Sequence, residues 1–208
     1  MELCSVLRQY HYVQAETDDR VLVARARGGD RDAFAELYER HHGAIFRFAL
    51  HMLGAPASAE DVVQEVFVAF MHALGRFEGD RSLRAYLFGI ARHMAGRRLR
   101  RERLWVSFDA NAHDAITASP SAVDDLQRRE DLLQLRQALL ALPRKHREVI
   151  VLCDVEQVSY EDAAASIGCA VGTIRSRLHR ARATLARLLQ RTDLGDARFS
   201  RRDAGWVL

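Results

Sequence analysis

Ser159-Tyr160-Glu161-Asp162-Ala163-Ala164-Ala165-Ser166-Ile167-Gly168-Cys169-Ala170-Val171-Gly172-Thr173-Ile174-Arg175-Ser176-Arg177-Leu178-His179-Arg180-Ala181-Arg182 carries the strongest local pattern in the chain. Ser159 is placed to cap a short helix, with Asp162 three positions on in an approximate capping box and Ala163, Ala164 and Ile167 inward. Gly168-Cys169-Ala170 reads as a tight turn, because glycine alone takes positive φ without steric cost. A longer helix then starts near Val171 and buries Ile174, Leu178, Ala181 and Leu185, leaving Arg175, Ser176, His179, Arg180 and Arg182 on the opposite face. Short helix, glycine turn and longer basic helix make a helix-turn-helix, whose second helix enters a DNA major groove. Arginine there donates two bonds to guanine O6 and N7, and its neighbours hold phosphates. The plain alternative is a surface helix solvated by arginines; the cap, the turn glycine and the basic face agree with one another against it.

Outward from this motif the chain reads as helical throughout. Residues 124–190 form one unit, in which Leu126, Leu132, Leu133, Leu135, Leu139 and Leu142 mark an amphipathic helix ended by Pro143, and Val149 to Leu152 lie in a second. Residues 104–123 lose the helical period, contain Pro120 and read as a flexible linker. Residues 20–103 form the other unit. Asp30 caps a helix carrying Phe34, Leu37, Tyr38, Ile45, Phe46 and Ala49. Val62, Val63, Val66, Phe67, Phe70, Met71 and Leu74 mark the next, with Ser58 as its expected cap and Gly75 as its stop. A third, with Leu83, Tyr86, Leu87, Ile90 and Met94 inward, runs into an arginine block. Residues 1–19 and 191–208 read as an extension and a tail. The fold class is all-α: two small helical domains joined by a linker.

Composition narrows the classes. The chain has 208 residues, 49% hydrophobic and 28% charged, which suits a folded protein. Three prolines and 12 glycines are too few for a sandwich of short turns. No apolar run approaches the roughly 20 residues of a bilayer span, and Glu2 with no adequate apolar core behind it argues against a secretory signal. Cys4, Cys153 and Cys169 lack metal-ligand spacing, so neither a disulfide scaffold nor a zinc ribbon is expected. His41-His42 and His51 complete no ligand set, and neither P-loop nor nucleophile elbow occurs, so no catalysis, cofactor or small-molecule substrate is expected. The net charge of +3 says little by itself. Its distribution says more: Arg97 to Arg103 and Arg175 to Arg187 are two separate basic blocks, with acidic stretches such as Glu60-Asp61 and Asp124-Asp125 elsewhere. Two such patches suggest two contacts with a polyanion. Against this stands a general preference for arginine, since Lys145 is the only lysine.

Leu142-Pro143-Arg144-Lys145-His146-Arg147-Glu148-Val149, the 159–164 stretch and the 171–182 stretch together resemble the fourth region of bacterial sigma-70-family initiation factors, most of all the small extracytoplasmic-function (ECF) branch. Ala59-Glu60-Asp61-Val62-Val63-Gln64-Glu65-Val66-Phe67 and the stretch Leu83 to Arg98 are similar to the family's second region. The resemblance implies a sigma factor that binds core RNA polymerase and directs it to promoters. It implies that Asp61, Gln64 and Glu65 dock on an arginine-bearing coiled coil of the largest subunit, as carboxylates on an apolar-backed helix can do. It implies a −10 DNA groove built from Phe77, Arg81, Ser82, Tyr86, His93, Arg97, Arg98 and Arg101, where flipped bases meet aromatic and cationic groups. It implies −35 reading by Arg175, Ser176, His179, Arg180 and Arg182, with Thr173 on a phosphate. Tyr86, His93 and Gly96 depart from the branch's usual tryptophan, asparagine and charged residue, which leaves −10 sequence preference open. The resemblance further implies a flap contact, a linker threading toward the active site, and control by an anti-sigma partner, often membrane-bound, of a cytoplasmic protein without membrane insertion. Two rivals stand beside it: a dimeric helix-turn-helix repressor acting without polymerase, and an adaptor that binds polymerase without reading DNA.

Overall fold

A computed structural model describes residues 18–77, 82–106 and 123–192. Residues 1–17 (with Cys4), Arg81, most of the expected linker and the tail beyond 192 lie outside the described residues, as do the side chains of 102–131. Among the described residues there are eight α-helices and no strands. The first bundle comprises α1 (Asp19–Arg27), α2 (Arg31–Leu53), α3 (Pro56–Ala73) and α4 (Leu83–Val106). The second comprises α5 (Val123–Ala141), α6 (Arg144–Ile150), α7 (Tyr160–Ile167) and α8 (Val171–Thr192), with a π-helical turn at Val151–Val155 behind α6.

Local chemistry explains most helix ends. Asp30 accepts from the Asp32 and Ala33 amides at 3.0 Å each and starts α2. α3 starts differently from the sequence expectation: Ala55 is the cap residue and Pro56 occupies the first turn, so Ser58 lies inside the helix. Proline suits that position because its missing N–H has no partner there to lose. α3 ends at Ala73, and a 3₁₀ turn, Leu74–Arg76, carries the chain past Gly75. Arg27 clamps this turn, donating to the carbonyls of Leu74 and Phe77.

The first core is aromatic. Phe34 stacks on Phe70 at 6.0 Å and meets Phe67 edge-on at 6.5 Å; Phe77 packs between Phe70 at 6.0 Å and Tyr86 at 5.0 Å. In the second bundle Leu139, Leu142, Val149, Ile150, Leu152, Ile174, Leu178 and Ala181 are buried. Two expectations fail at the edges. Met71 is 52% exposed, one residue round α3 from buried Phe70. Leu132 and Leu133 are 55% and 51% exposed, because burial on α5 begins only with half-buried Leu135, where the helix reaches its neighbours.

The two bundles pack against each other. α7 lies on α4, and α5, α6 and the π turn meet α2. Glu156, 2% exposed at the end of the π turn, takes Arg47 Nε and Nη2 at 2.9 and 2.8 Å on its two carboxylate oxygens. Arg84 of α4 donates to the Glu156 carbonyl at 2.5 Å and lies 5.8 Å over the Phe88 ring. The C-terminal end of α2 is capped by cations from the second bundle: Arg147 donates to the Met52 carbonyl at 2.6 Å, and Arg136 to that of Gly54.

His51 sits at this junction with its Nδ1 buried and unbonded. Burial, with the Arg136 and Arg47 charges, pushes its pKa down to about 4. Because that lies below the histidine value of 6.5, the unfolded chain takes up the proton first. Stability is whole above pH 6.5 and falls as the pH drops toward 4. Urea unfolding at pH 7.5 and pH 5 should show a smaller loss in His51→Gln than in the native chain. An equal loss would contradict the role of this histidine.

Candidate nucleic-acid and polymerase interface

α3 presents the first candidate surface. Val62, Val63, Val66, Phe67 and Phe70 face the core, which turns Asp61, Gln64 and Glu65 outward, all three exposed. Exposed Val68 and Met71 continue the surface beyond them. Arg98 of α4 reaches across to this edge, with Nη1 3.0 Å from Asp61 and Nη2 2.5 Å from Glu65. Its pKa is raised: partial burial works against the charge, and the two carboxylate bonds outweigh it. Arg98, expected among the −10 residues, is therefore engaged at the acidic edge. The carboxylates stay about half exposed, at 59% and 48%, so each keeps lone pairs open to a second cation.

α4 presents the second surface. Ser82 opens the helix, its Oγ accepting from the Ala85 amide at 3.3 Å. Ser82 and Tyr86 are half-buried; His93, Arg97 and Arg101 are exposed. Phe77 is a correction: it is 6% exposed and wedged between Phe70 and Tyr86, so its ring faces are already taken by the core. Tyr86 closes the same aromatic cluster, 6.3 Å from Phe70. A groove of about 500 Å³ runs between α4 and α7, lined by Ser82, Tyr86 and His93 on one side and Glu161 and Asp162 on the other.

The helix-turn-helix forms as its pattern predicts. Ser159 Oγ accepts from the Asp162 amide at 3.0 Å, and Gly168 ends α7 in the left-handed region at φ 75°. α8 then starts at Val171 and buries Ile174, Leu178 and Ala181. Arg175, Ser176, His179 and Arg180 are exposed along one face, and Thr173 is half-buried in the first turn. Ser176 Oγ donates to the Thr173 carbonyl at 3.1 Å. Arg182 does something else: it grips Asp154 of the π turn through Nε and Nη2 at 3.1 and 2.6 Å. The Asp154 bond is the main reason its pKa is raised. Its guanidinium holds α8 to the turn that carries Glu156. Cys153, beside it, is buried, and burial first and the Asp154 charge second push its thiol up to about 12.

Sequence reasoning missed the residues of the bundle junction: Arg47, Arg84, Arg136, Arg147 and Glu156. The signal available was a carboxylate, Glu156, just behind the apolar run Val149 to Cys153.

An exposed acidic edge on one helical bundle and an exposed basic helix face on another are the two main surfaces of this two-bundle helix-turn-helix protein. Comparison with known proteins makes this specific. The Sigma-70 region 2 family model matches residues 37–104, and the Sigma-70 region 4 model matches 132–185. The RNA polymerase sigma factor CnrH of Cupriavidus metallidurans is 37% identical over 183 residues, covering 84% of this chain and 95% of that protein. NccH of Alcaligenes xylosoxydans xylosoxydans is 34% identical over 177 residues, covering 83% and 95%. The ECF sigma factor SigM of Mycobacterium tuberculosis is 32% identical over 176 residues, covering 84% and 86%. Among solved structures, CnrH in complex with the cytosolic domain of CnrY matches with a TM-score of 0.65 at 33% identity, covering 83% of this chain and 97% of that one. The sigma factor RpoE of Bartonella quintana, in complex with the anti-sigma factor NepR, matches at 0.64 and 34% identity, covering 76% and 96%. The chain belongs to the ECF branch of the sigma-70 family. It is a transcription initiation factor and not an enzyme. As a sigma factor it binds core RNA polymerase and promoter DNA.

The cap that starts the helix-turn-helix gives a direct check. Ser159→Ala removes the bond to the Asp162 amide and should lower unfolding free energy by about 0.5–2 kcal/mol, measured by chemical denaturation. Unchanged stability would contradict the cap's contribution.

Proposed function

We propose that the three surfaces divide the work of promoter selection. Asp61, Gln64 and Glu65 receive the arginine-bearing coiled coil of the largest polymerase subunit, and guanidinium–carboxylate pairing supplies the attraction. Ser82, Tyr86, His93, Arg97 and Arg101 hold the opened −10 strand, with Tyr86 offering a ring edge and the arginines tracking phosphates. Arg175, Ser176, His179 and Arg180 read the −35 duplex from the major groove, and Thr173 meets a phosphate at the start of α8. The observation that carries this reading is the pairing of two unlike exposed faces in one chain. The acidic edge of α3 and the basic face of α8 are each backed by a full apolar stripe and turned to solvent.

Control by an anti-sigma factor is part of the proposal, supported by the two similar sigma factors of solved structure, one bound to CnrY and the other to the anti-sigma factor NepR. No helix among the described residues is long and apolar enough to cross a membrane. We place the chain in the cytoplasm, where polymerase is, with any attachment to the membrane made through its inhibitor. The segment around residues 104–123 would lead toward the polymerase active site.

In vitro transcription with purified core polymerase tests the whole reading. Promoter-dependent initiation only when this chain is added is the expected result. A footprint by the chain alone would favour a free-standing repressor, and polymerase binding without initiation would favour an adaptor. Within that assay Arg180→Ala should weaken promoter binding by about 1–3 kcal/mol and relax specificity at one −35 base pair. Unchanged binding would remove Arg180 from the reading set.

A further inference from the structure

The acidic edge of α3 carries a conflict that α4 resolves. Asp61 and Glu65 stand one helical turn apart on the exposed side of α3, and like charges at that spacing repel. Left to water alone, each carboxylate would also turn among several rotamers. Arg98 meets both, with Nη1 donating to Asp61 Oδ2 and Nη2 to Glu65 Oε1. One rigid guanidinium fork fixes the spacing of the two negative groups and offsets one of their two charges.

The arginine reaches the pair from its inner side. Its side chain is 23% exposed, against about half for each carboxylate, and its Nε is buried without a partner. A buried donor left unpaired costs free energy, so the packed stem and the two carboxylate bonds together must hold this placement. The backbones behind it are fixed, since Ala59, Val62 and Val66 of α3 and Ala91 and Ala95 of α4 are fully buried. The bonds use one oxygen of each carboxylate, which leaves the second oxygen of each to a partner arriving from solvent. Arg97, next to Arg98 in the chain, is exposed and takes no part in this bridge.

We propose that Arg98 is a positioning residue for polymerase docking and not a −10 contact: it presets Asp61 and Glu65 as a pair, so that an arginine of the coiled coil meets two ordered carboxylates. This inference rests on the docking reading of α3 proposed above, and it adds the residue that prepares that surface. A partner need not order side chains that are already ordered, and losing that preparation for both carboxylates lowers affinity about tenfold. Removing Arg98 also makes the edge more negative and strengthens long-range attraction to a cationic partner. An ionic strength of about 0.3 M screens that opposing effect.

Equilibrium competition with a fluorescently labelled native chain for purified core RNA polymerase, at that ionic strength, tests the proposal. Arg98→Gln should bind core about tenfold more weakly. Arg98→Lys keeps the charge without the fork and should fall between the two. In a Glu65→Gln background, where Arg98 has one carboxylate left to hold, Arg98→Gln should cost no more than about threefold. Holoenzyme assembled at saturating Arg98→Gln chain should bind a single-stranded −10 oligonucleotide as the native one does. If Arg98→Gln folds poorly by circular dichroism, Arg98→Lys carries the test.

Unchanged or tighter core binding by the folded variant would overturn the proposal, and so would an equal loss in the Glu65→Gln background. Weaker −10 binding with core affinity intact would return Arg98 to the DNA surface and overturn it as well. Undiminished core binding by a chain carrying both Asp61→Asn and Glu65→Gln would instead remove the docking reading itself.

Discussion

A carboxylate withdrawn from water must be compensated where it lies, and Glu156 sets that requirement at the junction of the two bundles. Its compensation comes from elsewhere in the chain: Arg47 on α2 takes both oxygens, and Arg84 on α4 takes the backbone carbonyl. Each reaches from the first bundle to the π turn of the second, so that turn has one seat on the molecule. Losing one partner of a fully buried pair costs about 3–5 kcal/mol. The half-exposure of Arg47 puts this pair below that range, because water screens it from one side. Arg136 and Arg147 work in the other direction, bringing positive charge from the second bundle to the carbonyl end of α2. The junction is thus braced by guanidinium groups from both sides, in a chain that has almost no lysine. Arginine suits the task, since its planar fork meets a carboxylate or carbonyl with several donors at fixed geometry.

The same residue type therefore serves two ends. Arg175 and Arg180 are exposed to solvent on α8. Arg98 and Arg182, the same residue type, are spent on Asp61 with Glu65 and on Asp154. Arg182 connects α8 to the turn bearing Glu156, so the basic face of α8 and the bundle junction share one piece of backbone. Arg98 braces the acidic edge of α3 and holds its two carboxylates in one orientation.

Much of this architecture was legible in the sequence where a local rule decides it. The apolar stripe of α3, the Ser159 cap, the Gly168 turn and the inward face of α8 depend on neighbours three or four residues away, and all of these stand in the structure. The cap of α3 was misplaced at Ser58, because Pro56 makes an equally good start without a side-chain bond. Leu132 and Leu133 continue the period of α5 and yet are exposed, since periodicity cannot say where the neighbouring helix ends. Phe77 was assigned to the DNA groove by the family resemblance, and the aromatic core took it instead. The split among the arginines was out of reach for a different reason. Whether an arginine stays in solvent or meets a carboxylate 28 to 37 residues away is settled by tertiary contact alone.

In the free chain the two bundles are seated together, through Glu156 with Arg47 and Arg84 on one side and through Arg136 and Arg147 on the other. Single-molecule energy transfer tests this most directly, with dyes at Arg20 on α1 and Ala186 on α8, both exposed, after the native cysteines are replaced. A single short distance in the free chain is the predicted result. A long or broadly distributed distance would contradict it.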